Sequence, residues 1–254
     1  MSVPVLMYHH ILPKSSFIAS SVDEFREQMA FLANNGWTTL SSDEFYRYKK
    51  GLFIPPKKSV LITFDDGWRD NYIYAYPILK EFGLKATLFL VTEWIEKASQ
   101  DPQEPFEALK HSDAKHMVSK HPSRVILSWN DIEAMKDVFD FHAHTHTHRD
   151  DYFGTCEWDE EFTQTKRVIQ EKLGFADTHL CWPRGVYDEN LKEKANRAGF
   201  NILYTIERGV NRPDGKCDEI KRIAVKKGAK WLKKTLFIFS STLLGTLYTK
   251  IKHD

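Results

Sequence analysis

Apolar and polar positions follow two periods along this chain. Short apolar runs, "VPVLMY" (3–8), "WTTL" (37–40), "SVLITF" (59–64), "ATLFLV" (86–91), "VFDFH" (138–142), "THLCW" (178–182), "FNILYT" (200–205) and "RIAV" (222–225), have the length and β-branched content of buried strands. Between them the period is helical. Ser21 and Glu24 form a capping box before a stripe of Val22, Phe25, Met29 and Leu32, with Gly36 as the stop. Ser41 with Glu44, and Ser128 with Asp131, open two more helices. Further helices are predicted over 72–82, 158–173 and 190–198, each followed by glycine, at Gly83, Gly174 and Gly199. About eight strands separated by helices predict an α/β fold with a parallel sheet. At 254 residues a closed or partly closed β/α barrel is favoured over an open sheet.

Two segments stand outside the alternation. Residues 93–124 are polar, rich in Lys, His and Pro, and too long for an ordinary connection; they read as a lid, a mobile loop or a decorated surface loop. The tail "WLKKTLFIFSSTLLGTLYTKI" (231–251) carries Leu232, Leu236, Phe239, Leu243 and Leu247 on one helical stripe, widened by Phe237, Ile238, Leu244 and Tyr248. Its apolar run falls short of the roughly 20 residues that span a bilayer. A helix docked on the barrel is expected, the alternative being a membrane-surface helix flanked by Lys233, Lys234 and Lys250. Without repeats or low-complexity linkers, residues 1–254 are expected to form a single domain.

A formal net charge of +1 argues against a nucleic-acid binder working through a broad basic surface. Cys156, Cys181 and Cys217 are odd in number, widely spaced and without a CxxC pair, which points to a reducing compartment. The start "MSVPVLMYHH" reads as a strand with no secretion leader, so a cytoplasmic location is expected.

Chemistry concentrates at strand ends. Asp65 and Asp66 follow "LITF" directly, with Gly67 next. Along a regular strand they would face opposite ways, but a turn at Gly67 lets both enter one cavity. Two adjacent carboxylates repel, and a cation is the simplest compensation. The stretch "FDFHAHTHTHRD" puts His142, His144, His146 and His148 at every second position. As a strand all four share a face, whereas a helical turn or tight loop pairs His144 with His148; spacing does not choose. Neutral imidazoles and a carboxylate form the ligand set of a catalytic zinc site with an open position. The competing reading is a functionless His-rich surface strand. A third stretch, "CWPRGVYD" (181–188), makes a sharp turn whose backbone N–H groups face the same rim, or an ordinary connecting turn.

"TFDDG" (63–67), "HTHTH" (144–148) and "WPRG" (182–185) occur in the order and spacing of three motifs. With them the chain resembles the NodB-homology polysaccharide deacetylases, carbohydrate esterase family four. The opening "PVLMYHHI" resembles the branch that includes the poly-N-acetylglucosamine deacetylases, and the likeness runs from Pro4 to about Val225. The resemblance implies a distorted barrel of seven or eight strands. It implies a divalent metal, usually zinc with cobalt, nickel or manganese as alternatives, on Asp66, His144 and His148. It makes Asp65 the general base. Arg184, with Trp182 and Gly185 of the same turn, becomes the oxyanion and substrate side.

The chain departs from that pattern twice. The family's carboxyl-terminal Leu-x-His acid is missing, since only His253 follows "RIAV". In the branch resembled here the acid is the amino-terminal histidine, so His9 takes the role, with His10 as substitute. An arginine that pairs with the base in many members is replaced by Cys181, which reads as a buried filler. Arg222 is the candidate to supply that charge, and Arg184 the second. The expected activity is removal of N-acetyl groups from an acetamido sugar of a glycan or of its lipid- or nucleotide-linked precursor. The alternatives are ester deacetylation and an inactive carbohydrate-binding protein. An acetylated amino-sugar glycan is the expected partner, nucleic acid is not, and peripheral membrane contact through the tail is a further expectation.

Overall fold

Strand β5 (Ser59–Phe64) is buried at all six positions, the pattern of a strand covered on both faces. A computed structural model of the chain describes residues 1–149 and 157–253; Cys156 and the side chain of His253 lie outside what is described. Around β5 the parallel order is β10 (Ile223–Ala224), β1 (Val5–Tyr8), β5, β6 (Ala86–Leu90), β7 (Phe139–Ala143), β8 (His179–Cys181) and β9 (Ile202–Tyr204). A short β4 (Thr38–Thr39) pairs with the start of β5. The register runs Val5↔Leu61 to Tyr8↔Phe64, so β1 and β5 end side by side. At the far edge Ile220 N donates to Leu203 O (2.8 Å) and Thr205 N to Ile220 O (3.0 Å). Three residues later the same segment is β10, pairing with β1 through Leu6↔Ile223. The sheet thus curls into the expected distorted barrel, all its strands ending at one rim.

Helix α1 (Val22–Asn34) and helix α2 (Ser42–Lys49) begin at the anticipated capping boxes. Phe25, Met29 and Leu32 of α1 join the main core with Leu6, Ile62, Phe64 and Leu88. The helix expected over 72–82 begins as a π turn, Asn71–Ala75, and continues as α3 (Tyr76–Glu81). A small parallel pair, β2 (His10–Leu12) with β3 (Ala19–Ser21), has no counterpart in the expected pattern.

The segment 93–124 is not a loop. It is built of α4 (Thr92–Gln100), an irregular stretch over 101–110, α5 (His111–Met117) and a helical turn at Pro122–Arg124. Trp94, Ile95, Ala98, Ala114 and Val118 are buried in the main core, so apolar burial pins this wall to the barrel. Helix α6 (Trp129–Ala134) leads into β7, α7 (Trp158–Leu173) leads towards β8, and α8 (Glu189–Arg197) precedes β9.

The tail is two helices, α9 (Ala229–Phe239) and α10 (Thr242–His253), broken at Ser240–Ser241. Leu232, Leu236 and Phe239 are buried with the α1 stripe, while Leu243 and Leu247 are exposed together with Phe237 and Ile251. The anticipated stripe therefore divides at the break. Ser2 N donates to Ser240 O at 3.0 Å, which places the break by the amino-terminal end of β1, away from the strand-end rim. No helix among the described residues is long and apolar enough to cross a membrane.

Candidate active site

Where β1, β5 and β7 end, their loops surround a cavity of about 470 Å³ lined by His9, Asp65, Asp66, His144, His148 and Arg184, among others. The turn after β5 is sharp. Asp66 and Gly67 both have positive φ, 77° and 86°, and a Cβ at residue 67 would come within 2.9 Å of the Ile95 side chain. The left-handed backbone favours glycine there, and the Ile95 methyl adds to the crowding. The consequence is that both Asp65 and Asp66 line the one cavity.

The two carboxylates have different partners. Arg222, fully buried, grips Asp65 with Nη1 on Oδ1 at 2.6 Å and Nη2 on Oδ2 at 2.8 Å. Its Nε donates to Thr205 O (2.7 Å) and Nη2 also meets Cys181 Sγ (3.0 Å). Burial pushes the Asp65 carboxyl up, but Arg222, then His9 and His144, more than offset it and hold its pKa below the ordinary value. Asp66 faces two imidazoles instead: His144 Nε2 is 3.3 Å and His148 Nε2 3.5 Å from Oδ1. Its Oδ2 accepts from Trp68 Nε1 at 2.7 Å.

Of the four alternating histidines, this brings together His144 and His148. His142 is still in β7 and points its Nδ1 at Asp177 Oδ1 (2.7 Å), with Nε2 against Ser42 Oγ (2.8 Å). His146 bonds Thr92 Oγ1 (2.8 Å) at the start of α4. Positive φ at Thr145 (66°) and His148 (48°) breaks the strand period, and such strain persists only where the surroundings hold it. They do: Glu161 Oε1 accepts from the backbone of His146 (2.7 Å) and Thr147 (2.6 Å), and Glu93 N donates to His146 O (2.9 Å).

Asp66, His144 and His148 each offer a ligand atom within 4.8 Å of the others. Their chemistry fits a divalent cation. His144 commits Nδ1 to the Cys181 carbonyl (2.8 Å), which leaves Nε2 as the ligand nitrogen. Burial lowers the His148 imidazole to about 4, keeping it neutral and able to ligate. At His144 burial also opposes protonation, but Cys181, Asp66 and Asp65 outweigh it and raise its pKa well above normal, so a proton competes for that position. Asp65, His144 and Cys181 form a second close trio, but Asp65 is held by Arg222 and burial pushes the Cys181 thiol up. The Asp66 set fits better.

His9 Nε2 lies 3.7 Å from Asp65 Oδ2. Burial, ahead of the raising effect of Asp65 and Asp66, lowers its pKa. His10, the substitute acid, has its two nitrogens taken by Asp70 Oδ2 (2.7 Å) and His111 Nδ1 (3.1 Å). Arg184 lines the cavity with φ 56°. Two expectations for its turn are corrected. Gly185 N donates to Trp182 O within the turn (3.0 Å), so it is not an oxyanion donor. Trp182 is fully buried against Phe162, Trp158 and Tyr187 and lines no part of the cavity; it wedges the turn from behind.

The sequence reading did not single out Trp68, Asp70, Trp94 or His111. The first two sit in "DDGWRDN" (65–71), where an indole and a further carboxylate follow the paired aspartates directly. Trp94 and His111 belong to the 93–124 segment, where nothing local marked them.

With the geometry established, comparison with known proteins is decisive. Residues 54–203 match the family model described as "Polysaccharide deacetylase". The chain belongs to that family. Among curated relatives, Bacillus subtilis YxkH is 28% identical over 227 residues, 89% of this chain and 72% of that one. The poly-beta-1,6-N-acetyl-D-glucosamine N-deacetylase of Staphylococcus epidermidis is 24% identical over 218 residues, 81% of this chain and 68% of its own. Two solved structures share the fold. The Streptococcus pyogenes deacetylase PplD has a TM-score of 0.78 at 24% identity, over 93% of this chain and 98% of that one. IcaB from Ammonifex degensii has 0.74 at 23%, over 94% and 97%.

Proposed function

We propose that this polysaccharide deacetylase is a metal-dependent N-deacetylase that hydrolyses the acetamide of an amino sugar within a glycan. The observation that carries the reading is the unequal treatment of neighbouring aspartates: Asp65 is held ionised by Arg222, and Asp66 is aimed at His144 and His148. Zinc is the ion best matched to one carboxylate and two imidazoles. Held there by Asp66, His144 and His148, it would supply an acidified water and a Lewis acid for the acetyl carbonyl.

The chain's own residues do the rest. Asp65 accepts the proton of the attacking water, and Arg222 fixes the orientation of the carboxylate through two hydrogen bonds. Arg184, on the cavity wall, is the residue proposed to present a backbone N–H to the oxygen on which negative charge develops. His9, on the Asp65 side of the cavity, takes up the proton that Asp65 accepted and passes it to the departing amine. Residues 1–254 are proposed to act as one domain, with the 93–124 wall closing the side of the site. The exposed Phe237, Leu243, Leu247 and Ile251 of the tail, with Lys233, Lys234 and Lys250 nearby, suit a peripheral contact with an anionic membrane surface.

Acetate release from β-linked N-acetylglucosamine oligomers, assayed as purified and after chelation, tests the reading. Release that a chelator abolishes supports it, and none from the metal-loaded protein contradicts it.

A further inference from the structure

We infer that His111 is a substrate-positioning residue and that Asp70, acting through His10, decides which form of its imidazole faces the sugar. The inference rests on the deacetylase reading and extends it to a residue outside the three motifs.

Asp70 is buried beneath the cavity. Its Oδ1 accepts from Ile11 N (2.8 Å) and Asn71 Nδ2 (2.9 Å), and its Oδ2 lies 2.7 Å from His10 Nδ1. A carboxylate only accepts, so His10 carries its proton on Nδ1. His10 Nε2 is 3.1 Å from His111 Nδ1, a gap that holds one proton. With two neutral rings there is a single arrangement that satisfies both contacts. His10 Nδ1–H donates to Asp70, and His111 Nδ1–H donates to His10 Nε2. His111 Nε2 is left with a lone pair.

His111 lines the cavity and is half-buried. Burial first, and His10 second, lower its pKa, in keeping with a neutral ring. No described residue bonds its Nε2. Trp68 fixes the rings from the side, 4.4 Å from His10 and 5.6 Å from His111 between centroids. Trp68 also donates to Asp66, so the histidine chain and the metal-ligand carboxylate share one rigid support. A residue needed only to seat α5 on the core would be served by an apolar side chain. Here a fixed acceptor stands at the cavity wall, and an acetamido sugar presents hydroxyl and amide N–H donors. His111 Nε2 accepts one of these and sets how the sugar lies against Asp65 and His9.

Asp70→Asn is the informative change. The amide oxygen keeps the bonds to Ile11 and Asn71, while the amide nitrogen donates to His10 Nδ1. That reverses both rings and turns His111 Nε2 from acceptor into donor, with the fold intact. His111→Ala, His111→Gln, Asp70→Asn and the Asp70→Asn/His111→Ala double variant are compared as metal-loaded enzymes on N-acetylglucosamine oligomers. Loss of one hydrogen bond predicts KM raised about fivefold to tenfold in His111→Ala and in Asp70→Asn, with kcat nearly unchanged. His111→Gln, which restores an acceptor, recovers part of the loss. Asp70→Asn costs nothing further in the His111→Ala background. Imidazole 15N shifts should show Nδ1–H at His111 in the unaltered protein and Nε2–H in Asp70→Asn. An unchanged KM in His111→Ala overturns the proposal, as does an Asp70→Asn effect that persists in full without His111. If the unaltered enzyme releases no acetate, the deacetylase reading and the substrate role both fail, and the 15N shifts alone report whether the Asp70–His10–His111 chain sets the ring.

Discussion

Arg222 holds Asp65 by both carboxylate oxygens, at 2.6 and 2.8 Å, with both residues buried and Asp65 at the edge of the cavity. The pair joins the segment entering the last strand to the end of β5, across the seam where the barrel closes. Removing one partner of a buried ion pair typically costs about 3–5 kcal/mol, because the other charge is left unpaired. Arg222→Met is therefore expected to lower the melting temperature markedly, and Arg222→Lys, which loses the two-pronged geometry, less so.

The same contact sets a pH dependence. The folded pKa of Asp65 is depressed, so the pair stabilises the protein above the unfolded value of about 3.9 and loses that contribution as pH falls through the folded pKa. Without Arg222, burial is left to dominate and the carboxyl rises. The acid limb of kcat/KM should then move to higher pH in Arg222→Lys and further in Arg222→Met. A limb that stays in place in both variants would mean that another group titrates there.

His9 is the proposed acid for the leaving group, with Nε2 3.7 Å from Asp65 Oδ2. An amine leaves poorly without a proton, whereas the alkoxide of an ester leaves more readily. His9→Ala should reduce amide hydrolysis by about 10²- to 10⁴-fold and acetate release from an acetyl ester much less. Equal losses on the two substrates would remove His9 from the acid role.

Trp68 is the outer partner of Asp66, donating from Nε1 at 2.7 Å. Trp68→Phe keeps the aromatic packing against His10 and Trp94 but deletes that donor. Metal affinity should fall by about 10- to 100-fold, measured by competition with a chromogenic chelator, with little change in thermal stability.

Much of the site was legible because its chemistry sits in unbroken stretches of chain. Asp65, Asp66 and Gly67 adjoin a strand whose apolar run is unmistakable, and β5 ends where that run does. Choosing His144 and His148 from four equivalent positions was beyond periodicity, since the choice is made by left-handed backbone at Thr145 and His148, held by Glu161 from another helix. Arg222 was a candidate on charge alone; its grip on Asp65 exists only because the sheet closes. Trp182 looked like a cavity residue beside Arg184 and proved to be the packed back of the turn. The 93–124 wall was the largest departure. Its polar surface masked the few apolar residues, Trp94, Ile95 and Ala98, that bury α4, and His111 acquires its meaning only from Asp70, 41 positions away in sequence.

In the proposed mechanism a cation at Asp66, His144 and His148 leaves Asp65 free to act as base. The direct measurement is acetate release from an N-acetylglucosamine oligomer alongside metal content, for the unaltered protein, the chelated protein and His148→Ala. One divalent ion per chain is expected, with loss of acetate release on chelation, recovery on adding zinc, and neither metal nor activity in His148→Ala. Full acetate release from metal-free protein would contradict it.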